Sequence, residues 1–230
     1  MKNSRYFWFL ILMFCALFSC QSSDADTSHA PKTTIYSDYF VRYLADEGSL
    51  KGVATFLEGD TVTNVKPLQF EGGVTFHGSG MQVKNIQDKI YRYVQSREAD
   101  YSDSFKFKHT YKGKTYSYEI KMAPIEDFYL KGKVSRDEGM VVVVVGKALG
   151  EGESYVFLIS DKNNKAISYT VRGPHSDLEF KIPSNELRKL EPGKGQLYIV
   201  KKQTRLKKED GEDIRAEIEY YTKPIDIDIE

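Results

Sequence analysis

The sequence predicts an all-β protein of two tandem β-sandwich domains, and three observations carry that expectation. Short segments of β-branched and aromatic residues recur between glycine-rich turns from residue 35 onward. Two hairpins can be registered residue against residue from the alternation of their side chains. Tyr and Phe, 16 and 13 in the whole chain, dominate the aromatics, as strands prefer.

In the first half, strand-like segments fall at 39–44, 53–57, 74–76 and 90–94, punctuated by Gly48, Gly59, Gly72-Gly73 and Gly78-Ser79-Gly80. The clearest local unit is a hairpin over 105–122 around Lys112-Gly113. Its register pairs Phe105 with Ile120, Phe107 with Tyr118 and His109 with Tyr116 on one side. Lys106 then faces Glu119 and Thr110 faces Thr115 on the other, and a slip of one residue would scramble both faces. Ala123-Pro124 follows, and since Pro interrupts a ladder, the domain boundary is placed there, giving domains 33–123 and 124–230.

The second half continues with segments 128–134, 140–145, 155–160, 167–171 and 178–182. Its plainest turns are Asp161-Lys162-Asn163-Asn164 and Gly173-Pro174. Residues 184–190 predict one helical turn capped by Ser184. Segment 140–145 is apolar on both faces, Met140, Val142 and Val144 on one and Val141, Val143 and Val145 on the other. One set belongs to the core; the sharper hypothesis for the other is cover by the first domain or by a partner. The last hairpin turns at Asp210-Gly211. Its register sets Lys202 opposite Glu219, Lys208 opposite Asp213 and Val200 opposite Tyr221, with Leu197, Ile199, Ile218 and Tyr220 on the other face. Its charged tip, 203–215, is expected to project beyond the core. After Pro224 the chain alternates Ile-Asp-Ile-Asp-Ile-Glu, isoleucines inward. Each half is expected to close its own strand set and to fold alone.

Leu190-Glu191-Pro192-Gly193, with Tyr198 soon after, resembles the E–F corner of immunoglobulin-like and fibronectin type III domains. The resemblance implies an immunoglobulin-like sandwich for 124–230, with the Tyr198 hydroxyl tying its strand to the preceding loop.

The first twenty residues set the location. Lys2 and Arg5 precede an unbroken apolar run over 7–18, then Ser19 and Cys20. A positive start, a short apolar core and a small residue before the cut describe a secretory signal peptide over 1–19. The run is too short for a membrane span of roughly 20 residues. Leu17-Phe18-Ser19-Cys20 resembles the lipobox of bacterial lipoproteins, with a bulkier Phe18 at −2. That resemblance implies cleavage before Cys20, diacylation of its sulfur (palmitate-type chains) and anchorage in the cell envelope, in the outer membrane of a Gram-negative bacterium. Of the chain's two cysteines, Cys15 lies in the discarded run, so Cys20 has no partner for a disulfide within the mature protein. Residues 20–32 then form an acylated Cys and polar tether, in which Asp24 and Asp26 fit tether solvation better than a sorting signal.

Composition removes several functions. Cleavage takes 19 residues from the 230 and leaves 211; with Lys2 and Arg5 gone, 31 basic residues face 33 acidic ones, a net of −2. That is no footprint for nucleic acid. The histidines, His29, His77, His109 and His175, show no metal-ligand spacing, and no metal or other cofactor is expected. His77 and Ser79 lack a nucleophile elbow and suit a turn; His109 suits a core or rim position. Gly139 to Lys147 has Val141, and Ala148 after it, where a phosphate loop needs Gly and Ser or Thr. The Asp161 turn lacks the Gly and distal Glu of a calcium loop. Asp226, Asp228 and Glu230 stand roughly 7 Å apart along one strand face, too far to chelate one ion and well placed to protect an edge. The expectation is therefore a membrane-anchored envelope lipoprotein, not an enzyme, that binds a protein partner or serves an envelope assembly. A carbohydrate-binding or adhesin-like surface protein is the runner-up.

Overall fold

The structure, a computed structural model, describes residues 33–230. Before Ala123 run β1 (Thr34–Leu44), β2 (Ser49–Thr61), β3 (Asn64–Pro67), β4 (Val74–Phe76), β5 (Ser79–Gly80), β6 (Gln82–Ile86), β7 (Ile90–Glu98), β8 (Ser104–Tyr111) and β9 (Lys114–Lys121). After it come β10 (Ile125–Leu130), β11 (Met140–Gly146), β12 (Glu153–Asp161), β13 (Ala166–Arg172) and β14 (Glu179–Ile182). The short α1 (Ser184–Leu187) precedes β15 (Gly193–Glu209), β16 (Glu212–Tyr221) and β17 (Ile225–Ile229). The protein is all-β, with sandwich-like pairs of sheets.

In the first half, β1 alternates throughout and β2 alternates as far as Leu57: Ile35, Ser37, Tyr39, Val41 and Tyr43 point inward from β1. They meet the sheet β5-β4-β8-β9, whose inward row holds Val74, Phe76, Phe105, Phe107, Tyr118 and Ile120. The inward position 52 on β2 is glycine, where a Cβ would lie 2.6 Å from the Phe76 ring. The expected register of β8 with β9 is the one observed, Phe107 opposite Tyr118 and His109 opposite Tyr116.

In the second half, the sheet β10-β11-β14 faces β13-β12-β15-β17 across a second core of Val142, Val144, Phe157, Ile159, Leu197, Ile199 and Ile227. Leu187 and Leu190 close one end of it. Ser184, expected as a helix cap, is instead the first helical residue; Pro183 stands before it and no side chain caps the turn. Met140, Val142 and Val144 are buried, while Val145 is 38% and the neighbouring Tyr129 52% exposed. On the outer face Val141 and Val143 are half-buried and Val145 is exposed, so that face is only partly covered among the described residues. Val142→Thr is expected to cost about 1–3 kcal/mol by burying a hydroxyl without a partner. Val143→Thr should stay within about 0.5 kcal/mol. Denaturant midpoints of the two variants compare them directly.

Tyr198 does not form the expected corner. Leu197 takes the inward position, and Tyr198 lies on the other face, stacked on Tyr221 at 6.5 Å. Asp161 does the tying instead. Its carboxylate accepts from the Glu191 N–H at 2.9 Å and from the N–H groups of Asn163 and Lys165 in its own turn. These backbone donors, Glu191 first, hold its carboxyl below the ordinary value.

The halves do not close separate strand sets. The change of core does fall near Ala123, with Met122 in the first and Ile125 in the second. Yet β16 pairs with β15 on one side and runs parallel to β1 on the other, from Ile35 opposite Glu212 to Leu44 opposite Tyr221. Ile214, Ala216 and Ile218 thereby fill the first core. The hairpin tip expected to project is thus a structural part of the first half's sheet.

On the outer face, Glu219 sits between Lys202 and Arg42, each at 2.8 Å. Burial pushes its carboxyl up, but the hydrogen bonds from Lys202 and Arg42 outweigh burial and hold it below 4.5. A depressed carboxylate stabilises the fold above its unfolded value and loses that contribution as pH falls through the folded one. Melting temperatures should therefore drop more steeply below pH 4.5 in the natural protein than in Glu219→Gln.

Candidate binding cleft

A cleft of about 1230 Å³ opens where the two cores meet. The first half contributes Asp103, Tyr118, Lys121 and Met122; the second contributes Lys147, the loop Gly150–Glu153, and Lys201 with Gln203 to Lys207 of β15. The loop is stitched to β15 by the Thr204 N–H donating to the Gly152 carbonyl at 2.9 Å. Gly152 has φ +71°, and a Cβ there would lie 2.6 Å from the Thr204 carbonyl oxygen, so this approach requires glycine.

Strand alternation brings polar groups to the cleft floor. Lys201 and Gln203 continue the inward row of Leu197 and Ile199, and they are 1% and 2% exposed. Glu153 lies opposite Gln203, and Tyr155 opposite Lys201. Oε1 of Glu153 accepts from Nε2 of Gln203 at 3.0 Å, and Oε2 accepts from the Gly150 N–H at 2.9 Å. The Lys201 ammonium is 3.4 Å from Oε2 of Glu153 and 6.0 Å from the centre of the Tyr155 ring. Burial lowers the Lys201 pKa, and Glu153 only partly restores it. Burial, with Glu153 beside it, pushes the Tyr155 hydroxyl up to about 12.

Glu153 fixes the Gln203 amide with its nitrogen toward the carboxylate. Oε1 of Gln203 is then a buried acceptor without a partner. A lone carbonyl oxygen of this kind accepts from a hydroxyl or N–H, while Lys201 offers donors beside it. The arrangement is suited to holding a polar group by hydrogen bonds.

A second polar cluster is sealed in the first core. Ser37 donates to Oε1 of Glu212 at 3.0 Å, and Nε2 of His109 approaches the same oxygen at 3.1 Å. That approach is off the line of N–H donation, and neither ring nitrogen makes a hydrogen bond. His109 is instead stacked between Phe70 at 4.3 Å and Tyr116 at 5.2 Å. Glu212 is the central member and all three side chains are buried, so Ser37 is not a nucleophile activated by a base.

The other sequence candidates do not converge. His77 is exposed in the turn between β4 and β5, at φ +48°, and Ser79 starts β5. His175 accepts from the Asp177 N–H at 3.2 Å. Asp228 pairs with Lys194, Glu230 with Lys133, and Asp226 accepts from Gln196. Gly139 to Lys147 is mainly strand β11. Cys20, its lipobox, the tether and His29 lie outside the described residues. Among the described residues no His, Cys, Asp and Glu side chains group as a metal site, and no helix is long and apolar enough to cross a membrane. The one sequence signal of the cleft is Lys201, a charged residue on the apolar side of a hairpin whose register is legible.

No family model matches the chain, and no curated protein is similar to it. Among solved structures it is similar to one described as "Crystal structure of tetra-tandem repeat in extending region of large adhesion protein", at 8% identity and a TM-score of 0.27. The match covers 82% of this chain and 49% of that one, so the chain spans about half of that structure's length. Likeness at this level assigns neither fold nor role.

Proposed function

We propose that the protein is a lipid-anchored component of the cell envelope, held in the outer membrane of a Gram-negative bacterium, and that it acts by binding and not by catalysis. The lipobox-like Leu17-Phe18-Ser19-Cys20 supports the anchor. The observation that carries the binding role is the cleft, whose floor buries a weakly paired cation, Lys201, beside an unpaired acceptor, Gln203. The partner is an envelope protein that presents a polar group to this floor. A glycan is the second reading, favoured by Gln203 because sugar hydroxyls donate as well as accept.

Crosslinking in the native host followed by pull-down tests the binding role. The natural chain is expected to retain a specific partner that Lys201→Met loses. Loss of one hydrogen bond from a charged donor corresponds to about 1.5–3 kcal/mol, roughly 10- to 150-fold in affinity. An unchanged melting temperature shows that the variant is folded. Equal capture by both chains would remove the cleft from the binding role. Retention of a soluble oligosaccharide by the natural chain and not by Gln203→Leu would select the glycan. For the anchor, the mature protein should partition into detergent with acyl mass on Cys20, and Cys20→Ala should abolish this.

A further inference from the structure

We propose that the end of the fold where β1 begins is a membrane-facing surface, occupied by the bilayer; this rests on acylation of Cys20. The chain joins the fold at Thr33–Thr34. At the same end lie the turn between β2 and β3 and the outer arm of β15, because Thr34 is opposite Gly59 and Ile35 is opposite Glu212. These two features carry Val62 and Leu206, 71% and 79% exposed, the most exposed large apolar side chains among the described residues. Both line a groove of about 700 Å³ on the outer face of the sheet, whose floor includes Tyr36, Leu57 and Ile90. A groove with this floor, flanked by exposed Leu206 and Val62, suits an apolar occupant.

Chain length selects the bilayer as the occupant. Thirteen residues lead from Cys20 to Thr33, and a chain of that length reaches at most about 45 Å. The 17 residues of β15 alone span roughly 55 Å, so an anchor on Cys20 favours this end over the far one. The charges around the groove are paired, Lys208 with Asp213 at 3.0 Å, Lys207 with Glu209 at 2.7 Å and Arg215 with Asp38 at 3.1 Å, so the rim does not oppose a lipid surface. Two apolar side chains would not hold a free protein on a membrane. An acyl anchor supplies the effective concentration that makes their contact persist.

The chain's only Trp, Trp8, falls in the signal peptide, so a Trp introduced after Cys20 is the single reporter of the mature protein. Leu206→Trp, Val62→Trp and Tyr129→Trp would be purified from host membranes as the mature protein that begins at Cys20. Each would be reconstituted in phosphatidylcholine–phosphatidylglycerol vesicles, with and without brominated acyl chains. The reporters at 206 and 62 should shift to the blue and lose emission to the brominated lipid; the one at 129, exposed in β10, should do neither. Protein that floats with vesicles while all three reporters stay unquenched would overturn the membrane-facing surface and leave the anchor standing. Protein that does not float would remove the anchor, and the surface with it.

Discussion

A chain that ends at Met122 is expected not to fold. The first core looks complete in residues 35–122 until β16 is considered. Without it, β1 loses a parallel ladder that runs from Ile35 to Leu44 and becomes a bare edge. Ile214, Ala216 and Ile218 vacate a close-packed interior, and Ser37 loses the carboxylate to which it donates. The complementary fragment, 124–230, would carry the inner face of β16 uncovered, which favours aggregation. Circular dichroism and thermal melting of the 33–122 fragment beside 33–230 make the comparison. A cooperative transition in the short fragment would show that the first half closes without the hairpin. Within the full chain, Ile218→Ala is expected to cost about 2–5 kcal/mol, because the cavity lies where two strands and a facing sheet restrict collapse. It should lower one common transition, since β15 and β16 belong to the sheet that serves both cores.

Phe56→Ala carries the next largest effect, about 3–5 kcal/mol. Phe56 is fully buried and meets Phe70 at 4.7 Å, Tyr39 at 5.6 Å and Tyr93 at 5.8 Å, each nearly edge-on. The neighbours cannot close over the gap easily. The Phe70 N–H donates to the Tyr93 hydroxyl at 2.8 Å, and His109 is pinned between two rings. A domain is commonly stable by only about 5–15 kcal/mol, so this single truncation removes a large share. Denaturant titration measures it. A shift under about 1 kcal/mol would mean that the aromatic cluster repacks freely, contrary to its geometry.

What the sequence made legible was whatever has a period of two. Both hairpin registers followed from alternation combined with opposite charges, as in Lys106 with Glu119 and Lys202 with Glu219. The same rule placed His109 inward. It also held two answers that other signals obscured. With Leu197 inward, Tyr198 had to face outward, so the corner resemblance conflicted with the register beside it. Lys201 follows Ile199 on the inward row, which makes it a buried cation, but a hairpin rich in charge hid the exception. The pairing of β1 with β16 was not readable in the same way. Their partners are about 177 positions apart, as Arg42 and Glu219 are, and no turn announces a parallel pair. Charge alone predicts a projecting tip, but within it Glu212 and Ile214 alternate inward.

The parallel pairing of β1 with β16 has a mechanical consequence. Suppose Cys20 is held in a bilayer and a partner is held at Lys201. Tension then enters at Thr34, runs along β1, crosses to β16 and passes into β15. Along that route the load lies parallel to the strands, so the hydrogen bonds of each ladder share it as shear instead of opening one after another like a zipper. The antiparallel partner β2, on the other flank of β1, resists the same displacement. Pulled from these two points, the fold should yield at high force in a single step; pulled across the strands, it should peel apart at far lower force.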